Sequence, residues 1–565
     1  MSNVSARQRV RVDSPRVNVA RRLSETAGRY PNATAVVVPR DRHAGQRQYD
    51  TYTFAQLEDD TNRLASGLRA YGVEPGMRIV LLVRPGMEFI SLVFALFKAG
   101  AVIVLVDPGM GRRNLVQCLA EVEPDGFVAI PLGQAVRSAF RSRFPKSRLN
   151  VTVGRRWWWG GTTLRAVRHM GRRDPICHET RADDPAAIIF TSGGTGPPKG
   201  VLYCHGNFDR QVTEIRDRYA IAPGEVDLAA FPLFGLFNCA MGVTTVVPDM
   251  DASRPAKVDP RNIVEAVKDW NVTQSFGSPA IWNRVGQYCQ SNGVKLPTLR
   301  RVLSAGAPVP PHVLSRMKDC IADDGEVHTP YGATESLPVA TISATEVLTE
   351  TCEAWAQGGG TCVGSRFEGI DWKVIRISDE PIASLQDAVE LPVGEIGELI
   401  VSGPVVTSQY VTRTEWNALS KIADGKQFWH RMGDVGYLDA EDRFWFCGRK
   451  GHRVTTADGP MYTVRCEAVF NQHPHVYRSA LVGVGPADNK RPVIVVECWP
   501  ERRPRGDAQR RRLIAELQQR AAANVLTASI GDFLVHPAMP VDVRHNAKIH
   551  RERLAEWAAG KVGQG

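Results

Sequence analysis

Residues 186–205 read AAIIFTSGGTGPPKGVLYCH, and this stretch decides the fold. An apolar run of β type, 186–190, leads into a turn rich in glycine and hydroxyls, 191–200, and a second β-type run follows at 201–204. Glycines let backbone N–H groups converge on an anion. Thr191, Ser192, Thr195 and Lys199 add hydroxyl and ammonium donors around Gly193 and Gly194, which is equipment for holding a phosphate chain. The stretch is not a Walker loop. Counting from Gly193, that pattern requires Gly at 198 and Ser or Thr at 200, where Pro198 and Gly200 stand. A Walker loop also opens a helix, whereas this one returns into β structure.

Upstream, apolar β-type runs alternate with helical periodicity: strand 79–83, helix 87–98, strand 101–106, helix 112–122, strand 127–130. The alternation resumes after Asp184 and predicts parallel sheet covered by helices. The apolar run 89–106 is broken by Lys98 and Gly100 and closed by Asp107-Pro108, so it reads as a buried helix followed by a buried strand rather than a membrane span. From Gly394 the sequence turns to short β-type runs with Gly and Pro, which predicts a small twisted β element. The end of the chain mixes strands at 480–484 and 492–498 with an amphipathic helix at 510–523, where Leu513, Ile514 and Leu517 share a face. The polar stretch 449–459 is the expected boundary before it, and no internal repeat is visible.

The 565 residues are enough for several cores, and 43% hydrophobic with 23% charged is ordinary globular composition, which excludes disorder, collagen and coiled coil. Eleven cysteines lie without any CxxC pair, so neither a disulfide framework nor a zinc ribbon is expected, and a reducing cytosol suits them. The basic N-terminus lacks an apolar segment of the secretory kind, and the expected location is cytoplasmic. The net charge of +10 is concentrated: residues 137–173 hold eleven Lys or Arg and no Asp or Glu, including Arg155-Arg156-Trp157-Trp158-Trp159. Two readings of that stretch stand open, a solvated basic face with Trp rings packed beneath, or a surface for a membrane (the inner face) or a partner protein. No nucleic-acid partner is expected, because no nucleic-acid fold signature accompanies the charge.

Further blocks follow the glycine-rich turn in order: Ser304-Ala305-Gly306-Ala307-Pro308, Tyr331-Gly332-Ala333-Thr334-Glu335, Gly394-Glu395-Ile396-Gly397-Glu398 with Gly403-Pro404, Gly433-Asp434-Val435-Gly436-Tyr437, and Gly448-Arg449. With the turn at 191–200 they resemble, in register, the adenylate-forming superfamily of acyl-CoA synthetases, peptide-synthetase adenylation domains and luciferases. The resemblance covers nearly the whole chain. It implies an α/β fold: a large N-terminal domain, 1–449, of helix-covered sheets plus a distorted β-barrel, and a small mobile α+β lid, 450–565. It implies ATP and Mg²⁺ as cofactors, and each block then takes a job. Thr191, Ser192, Thr195 and Lys199, with Gly193 and Gly194, hold the β- and γ-phosphates; Thr334 bonds the α-phosphate; Glu335 is the metal ligand. Gly306, Ala307 and Pro308 flank adenine, Tyr331 stacks on it with Gly332 beside it in the nucleotide site, and Asp434 takes the ribose hydroxyls with Arg449 assisting. Lys548, in the segment 542–549, corresponds to the lysine that contacts the carboxylate and α-phosphate during adenylation. Two anions must meet in this chemistry, so pre-placed cations and donors make physical sense.

The second half-reaction is set by finer features. Gly451 stands at the hinge position, Phe231-Pro232-Leu233-Phe234-Gly235 lacks the histidine seen in many CoA ligases, and Gly194 replaces a hydroxyl residue. Strings such as 247–251 (VPDMD), 304–311 (SAGAPVPP), 430–437 (HRMGDVGY) and 544–549 (RHNAKI) resemble the olefin-biosynthesis β-lactone synthetase branch. That resemblance implies a long-chain β-hydroxy fatty acid whose own hydroxyl attacks the adenylate, and enzymes of the same olefin or β-lactone pathway as partners. A tethered nucleophile has a high effective concentration. A fatty acyl-CoA or acyl-AMP ligase is the alternative. A lipid-binding pseudo-enzyme would be expected to have lost Glu335, Asp434 or Lys548, and all three are present.

Overall fold

The apolar run at 89–106 folds as the helix Met87–Ala99 and the strand Val102–Leu105. Gly100 joins them at φ 80°, and a Cβ there would lie 2.6 Å from the His178 ring, so both the left-handed cap and the close approach require glycine. Lys98, the charge inside the run, is fully buried. It forms an ion pair with Glu58 at 2.7 Å and donates to Thr61 and Asn62 at 2.8 Å. Burial lowers its pKa and Glu58 opposes the shift. A buried ammonium is tolerated because it is paired and hydrogen-bonded.

The computed structural model describes residues 15–107, 110–191, 197–231, 233–541 and 548–562. The expected β/α alternation builds a seven-stranded sheet in the order Thr162–Thr163, Leu149–Thr152, Gly126–Ala129, Arg78–Leu82, Val102–Leu105, Pro185–Phe190, Gly200–Cys204. All neighbours are parallel except the last pair, the two arms that carry the glycine-rich turn. Helices Phe54–Ala70 and Met87–Ala99 pack on one face with Phe54, Leu64, Leu92 and Leu96 in the core.

A second sheet of fourteen strands begins as a parallel stack in which Thr34–His43, Thr244–Val246, Val226–Ala229, Gln274–Gly277, Arg301–Ser304 and Glu326–Ala333 are successive neighbours. It then turns antiparallel through Ser336–Ser343, Thr361–Arg366, Arg443–Arg449, Gln427–Leu438, Gly397–Ser402 and Asp371–Ile375. These last are the strands expected for a distorted barrel, and here the fold differs from expectation. Ser336–Ser343 hydrogen-bonds to both Glu326–Ala333 and Thr361–Arg366, so the strands continue the large sheet, and no closed barrel forms among the described residues.

The large sheet ends at Arg449. Beyond it come a short turn, Lys450–His452, the hairpin Val454–Thr456/Gly459–Met461, and a three-stranded sheet, Val476–Val484, Arg491–Cys498 and Asp532–Val535. This smaller α+β domain has its own cores: Leu513 and Leu517 of helix Asp507–Ala522 are buried on one side, and Leu554 and Ala558 of helix Arg551–Val562 on the other. All eleven cysteines are free thiols. Among the described residues no helix is long and apolar enough to cross a membrane.

Candidate active site

Every described residue of the expected site lines one cavity of about 1860 Å³: Thr191, Lys199, Gly306, Ala307, Pro308, Tyr331, Gly332, Thr334, Glu335, Asp434, Arg449 and Lys548. Ser192, Gly193, Gly194 and Thr195 lie outside the described residues, as does the segment 542–547 before Lys548. The two arms of the glycine-rich turn are tied at its neck. The Thr191 N–H donates to the Lys199 carbonyl at 3.0 Å, and the Lys199 N–H donates to Thr191 Oγ1 at 3.2 Å. The Lys199 ammonium rests over Trp416 at 4.2 Å and Tyr410 at 4.9 Å. Burial lowers its pKa, Glu335 opposes that, and Arg449 adds to it.

Sheet register makes the next cluster. Asp434 stands directly opposite Arg449 on the adjacent antiparallel strand, and the guanidinium donates to Asp434 Oδ1 at 2.5 Å. The Tyr331 hydroxyl, arriving from Glu326–Ala333, donates to Oδ2. The Asp434 charge is the main reason the Arg449 pKa is raised, and burial followed by Asp434 holds the Tyr331 phenol neutral. Each carboxylate oxygen keeps a further lone pair for another donor. Tyr331 therefore orients Asp434 as well as facing the cavity, a task its sequence block did not reveal.

Glu335 occupies the turn between Glu326–Ala333 and Ser336–Ser343 and is pinned by its backbone: its carbonyl accepts from the Thr407 N–H and hydroxyl, both at 2.9 Å. Its Oε1 accepts from the Tyr410 hydroxyl at 2.6 Å. The neighbouring Thr334 carbonyl accepts from the buried Tyr203 hydroxyl at 2.5 Å. One carboxylate beside a phosphate site suits Mg²⁺, which favours few protein ligands together with water and substrate phosphates. Among the described residues no cluster of three or more His, Cys, Asp or Glu offers a denser metal site.

Away from these polar groups the same cavity is apolar. Phe89, Val93, Phe94 and Phe97 from Met87–Ala99 line it, with Phe237 from the helix Phe234–Met241 and Leu132 at the start of Pro131–Ala139. The volume exceeds the few hundred to about 1,000 Å³ of common small-molecule pockets.

A family model described as AMP-binding enzyme matches residues 23–411. The chain belongs to this family. An olefin beta-lactone synthetase from Stenotrophomonas maltophilia is 47% identical over 96% of the chain and 98% of its own length. Another olefin beta-lactone synthetase, from Xanthomonas campestris pv. campestris, is 46% identical over 96% and 97%. The crystal structure of ATP-bound MatB from Rhodopseudomonas palustris shares the fold at TM-score 0.77 and 21% identity, covering 96% of this chain and 99% of that one.

As an AMP-binding enzyme the protein is an AMP-forming ligase, and its site includes groups that no sequence block marked. Lys421, on the strand Lys421–Asp424, reaches the Thr407 carbonyl beneath Glu335. Burial lowers its pKa to about 7, with Glu335 opposing the shift. Its partner across the strand pair is buried His430, whose Nδ1 lies 3.1 Å from the Ser420 carbonyl and which burial keeps neutral. In the sequence Lys421 is one lysine among many before a β-type run; only the fold shows that it points inward.

Proposed function

We propose that this enzyme adenylates a long-chain β-hydroxy fatty acid and closes it to a β-lactone. The carboxylate oxygen attacks the α-phosphorus of ATP and pyrophosphate leaves. The substrate's own β-hydroxyl then attacks the acyl carbon, loses its proton, and AMP departs. The observation that carries this reading is a single cavity lined both by the polar residues above and by many apolar side chains, in a chain related along almost its full length to olefin beta-lactone synthetases.

In this reading Thr191 and Lys199 hold the β- and γ-phosphates together with Ser192, Gly193, Gly194 and Thr195. Thr334 bonds the α-phosphate, Asp434 and Arg449 fix the ribose, and Gly306, Ala307, Pro308, Gly332 and Tyr331 enclose adenine. Glu335 holds Mg²⁺ with the phosphate oxygens, where the ion neutralises charge. Lys548 brings a cation to the point where carboxylate and α-phosphate meet. Residues 450–565 act as a lid hinged after Arg449, tethered where the Lys450 ammonium meets the buried Glu398 carboxylate at 3.1 Å.

Closure by the internal hydroxyl rather than CoA is supported by the near full-length relation to olefin beta-lactone synthetases, and Gly235 stands where many CoA ligases carry a histidine. A Cβ there would sit 3.0 Å from the Thr245 methyl, so the packing is built around glycine. The test is mass spectrometry of products from ATP, Mg²⁺ and a long-chain 3-hydroxy acid, with and without CoA. A product equal to the acid less one water, formed without CoA, is expected. A thioester formed only when CoA is present would overturn the lactone step. A strained lactone requires a following enzyme to consume it, which makes enzymes of the same pathway the natural partners.

A further inference from the structure

The basic stretch 137–173 is outside the chemistry described above, and its surface is unusual. Trp159 is buried, with its indole N–H donating to Thr152 Oγ1 at 3.0 Å and its carbonyl accepting from Arg137 at 2.9 Å. It bolts the loop 153–161 to the helix Pro131–Ala139. Trp157 stacks on it at 5.6 Å yet is 58% exposed, and Trp158 is 74% exposed. A solvated basic face with its rings packed beneath accounts for Trp159 alone.

The same helix presents Leu132, 68% exposed, and is followed by exposed Phe140. Large apolar side chains are thus held out in water on a rigid frame. In the same stretch Arg141, Arg143, Arg148, Arg155 and Arg156 are exposed, and the stretch contributes no acid of its own; Lys146 pairs with Glu123 from outside it. Leu132, Gly133 and Val136 also line the cavity, so the helix that carries exposed Leu132 is shared between this surface and the cavity wall.

We propose that this face docks on an anionic lipid surface, with Trp157, Trp158 and Leu132 entering the headgroup region and the arginines meeting lipid phosphates. Indoles favour the boundary between water and hydrocarbon, and cations near an anionic surface are attracted to it. Charge complementarity selects lipid: exposed arginines in the same stretch as protruding indoles match an anionic interface, and an acyl substrate held at that interface would lie beside a helix that lines the cavity. The link to acyl uptake rests on the proposed function; the docking does not.

The experiment is co-sedimentation of the full chain with phosphatidylcholine–phosphatidylglycerol vesicles and with phosphatidylcholine alone, at about 0.05 and about 0.5 M NaCl. The wild type is expected to bind the anionic vesicles, to bind the neutral ones poorly, and to be released by salt. Trp157→Ser with Trp158→Ser is expected to lower binding about ten-fold or more, leaving turnover of a short, soluble 3-hydroxy acid unchanged. Retained turnover shows that the variant folds, and the binding readout does not depend on which product is made. Equal binding to both vesicle types, no vesicle binding by the wild type, or undiminished binding by the double variant would overturn the proposal. So would loss of a co-purifying pathway protein in the double variant when the wild type never binds vesicles, since the face would then be a protein interface.

Discussion

Two sides of the cavity are built in opposite ways. On one side Asp434 and Arg449 face each other across adjacent strands, and both carboxylate oxygens are already held, by Arg449 and by Tyr331. On the other side Lys548 comes from the smaller domain, ahead of the helix Arg551–Val562, and its side chain is exposed at the cavity edge. A wall fixed by sheet register is organised before any ligand arrives. A group supplied by a separate domain can be present for one step and absent for the next. The difference separates binding from chemistry, and it can be broken by experiment.

The largest effect is expected at the movable side. Lys548→Ala should lower pyrophosphate release about a thousand-fold, the scale of losing a donor aimed at transition-state charge, while nucleotide affinity measured by calorimetry stays within about three-fold. A parallel loss of nucleotide affinity would erase the contrast, because Lys548 would then belong to the binding wall. Glu335→Gln comes next. It keeps the shape and the Tyr410 contact but removes the charge, and adenylation should fall roughly a hundred-fold, with the Mg²⁺ concentration for half-maximal rate rising. An unchanged Mg²⁺ dependence would remove Glu335 as the metal ligand.

Asp434→Asn sharpens the comparison from the fixed side. Hydrogen bonds to charged groups contribute about 1.5–3 kcal/mol, so ATP affinity should weaken about ten- to a hundred-fold. The rate at saturating ATP should fall much less than in Lys548→Ala. If kcat collapsed with affinity unchanged, the register-fixed wall would be doing chemistry rather than binding.

What could be read from residues alone follows the same division. Asp434, Arg449 and Glu335 sit in short blocks because each must be placed by a tight turn or a strand pair, and such local geometry is written in consecutive residues. The alternation at 79–130 is legible for the same reason, the helix expected at 87–98 running Met87–Ala99. Groups that converge from distant segments left no mark. Tyr410 and Trp416 reach Lys199 and Glu335, and Lys421 reaches the Thr407 carbonyl, only once the two sheets are packed. Lys98 read as an interruption of an apolar run because its partner, Glu58, lies on another helix. The barrel expectation gave way because strand partners are chosen in three dimensions: Ser336–Ser343 bonds on both sides and extends one sheet.

Lys421 tests how far the fixed wall is charge-balanced, and its effect should be the smallest. Its folded pKa of about 7 lies below its ordinary value of 10.5, because burial disfavours the ammonium while Glu335 partly restores it. Between those values the unfolded chain binds a proton that the folded chain does not, so stability rises with pH from about 7 toward 10.5. Below about 7 both states carry the proton, and the full unfavourable term of the buried charge is present. Neighbouring His430 stays neutral in the fold, and its own linkage ends near 6.5, below this window. Lys199 and Arg449 keep their contributions in wild type and variant alike. Lys421→Met should therefore melt higher than wild type near pH 7 by a few degrees, with the gap closing as pH approaches 10. A gap that stayed constant over that range would mean that Lys421 is charged throughout, with Glu335 as its full partner. The wall under the Glu335 carboxylate would then be an ion pair rather than a neutral amine held against a backbone carbonyl.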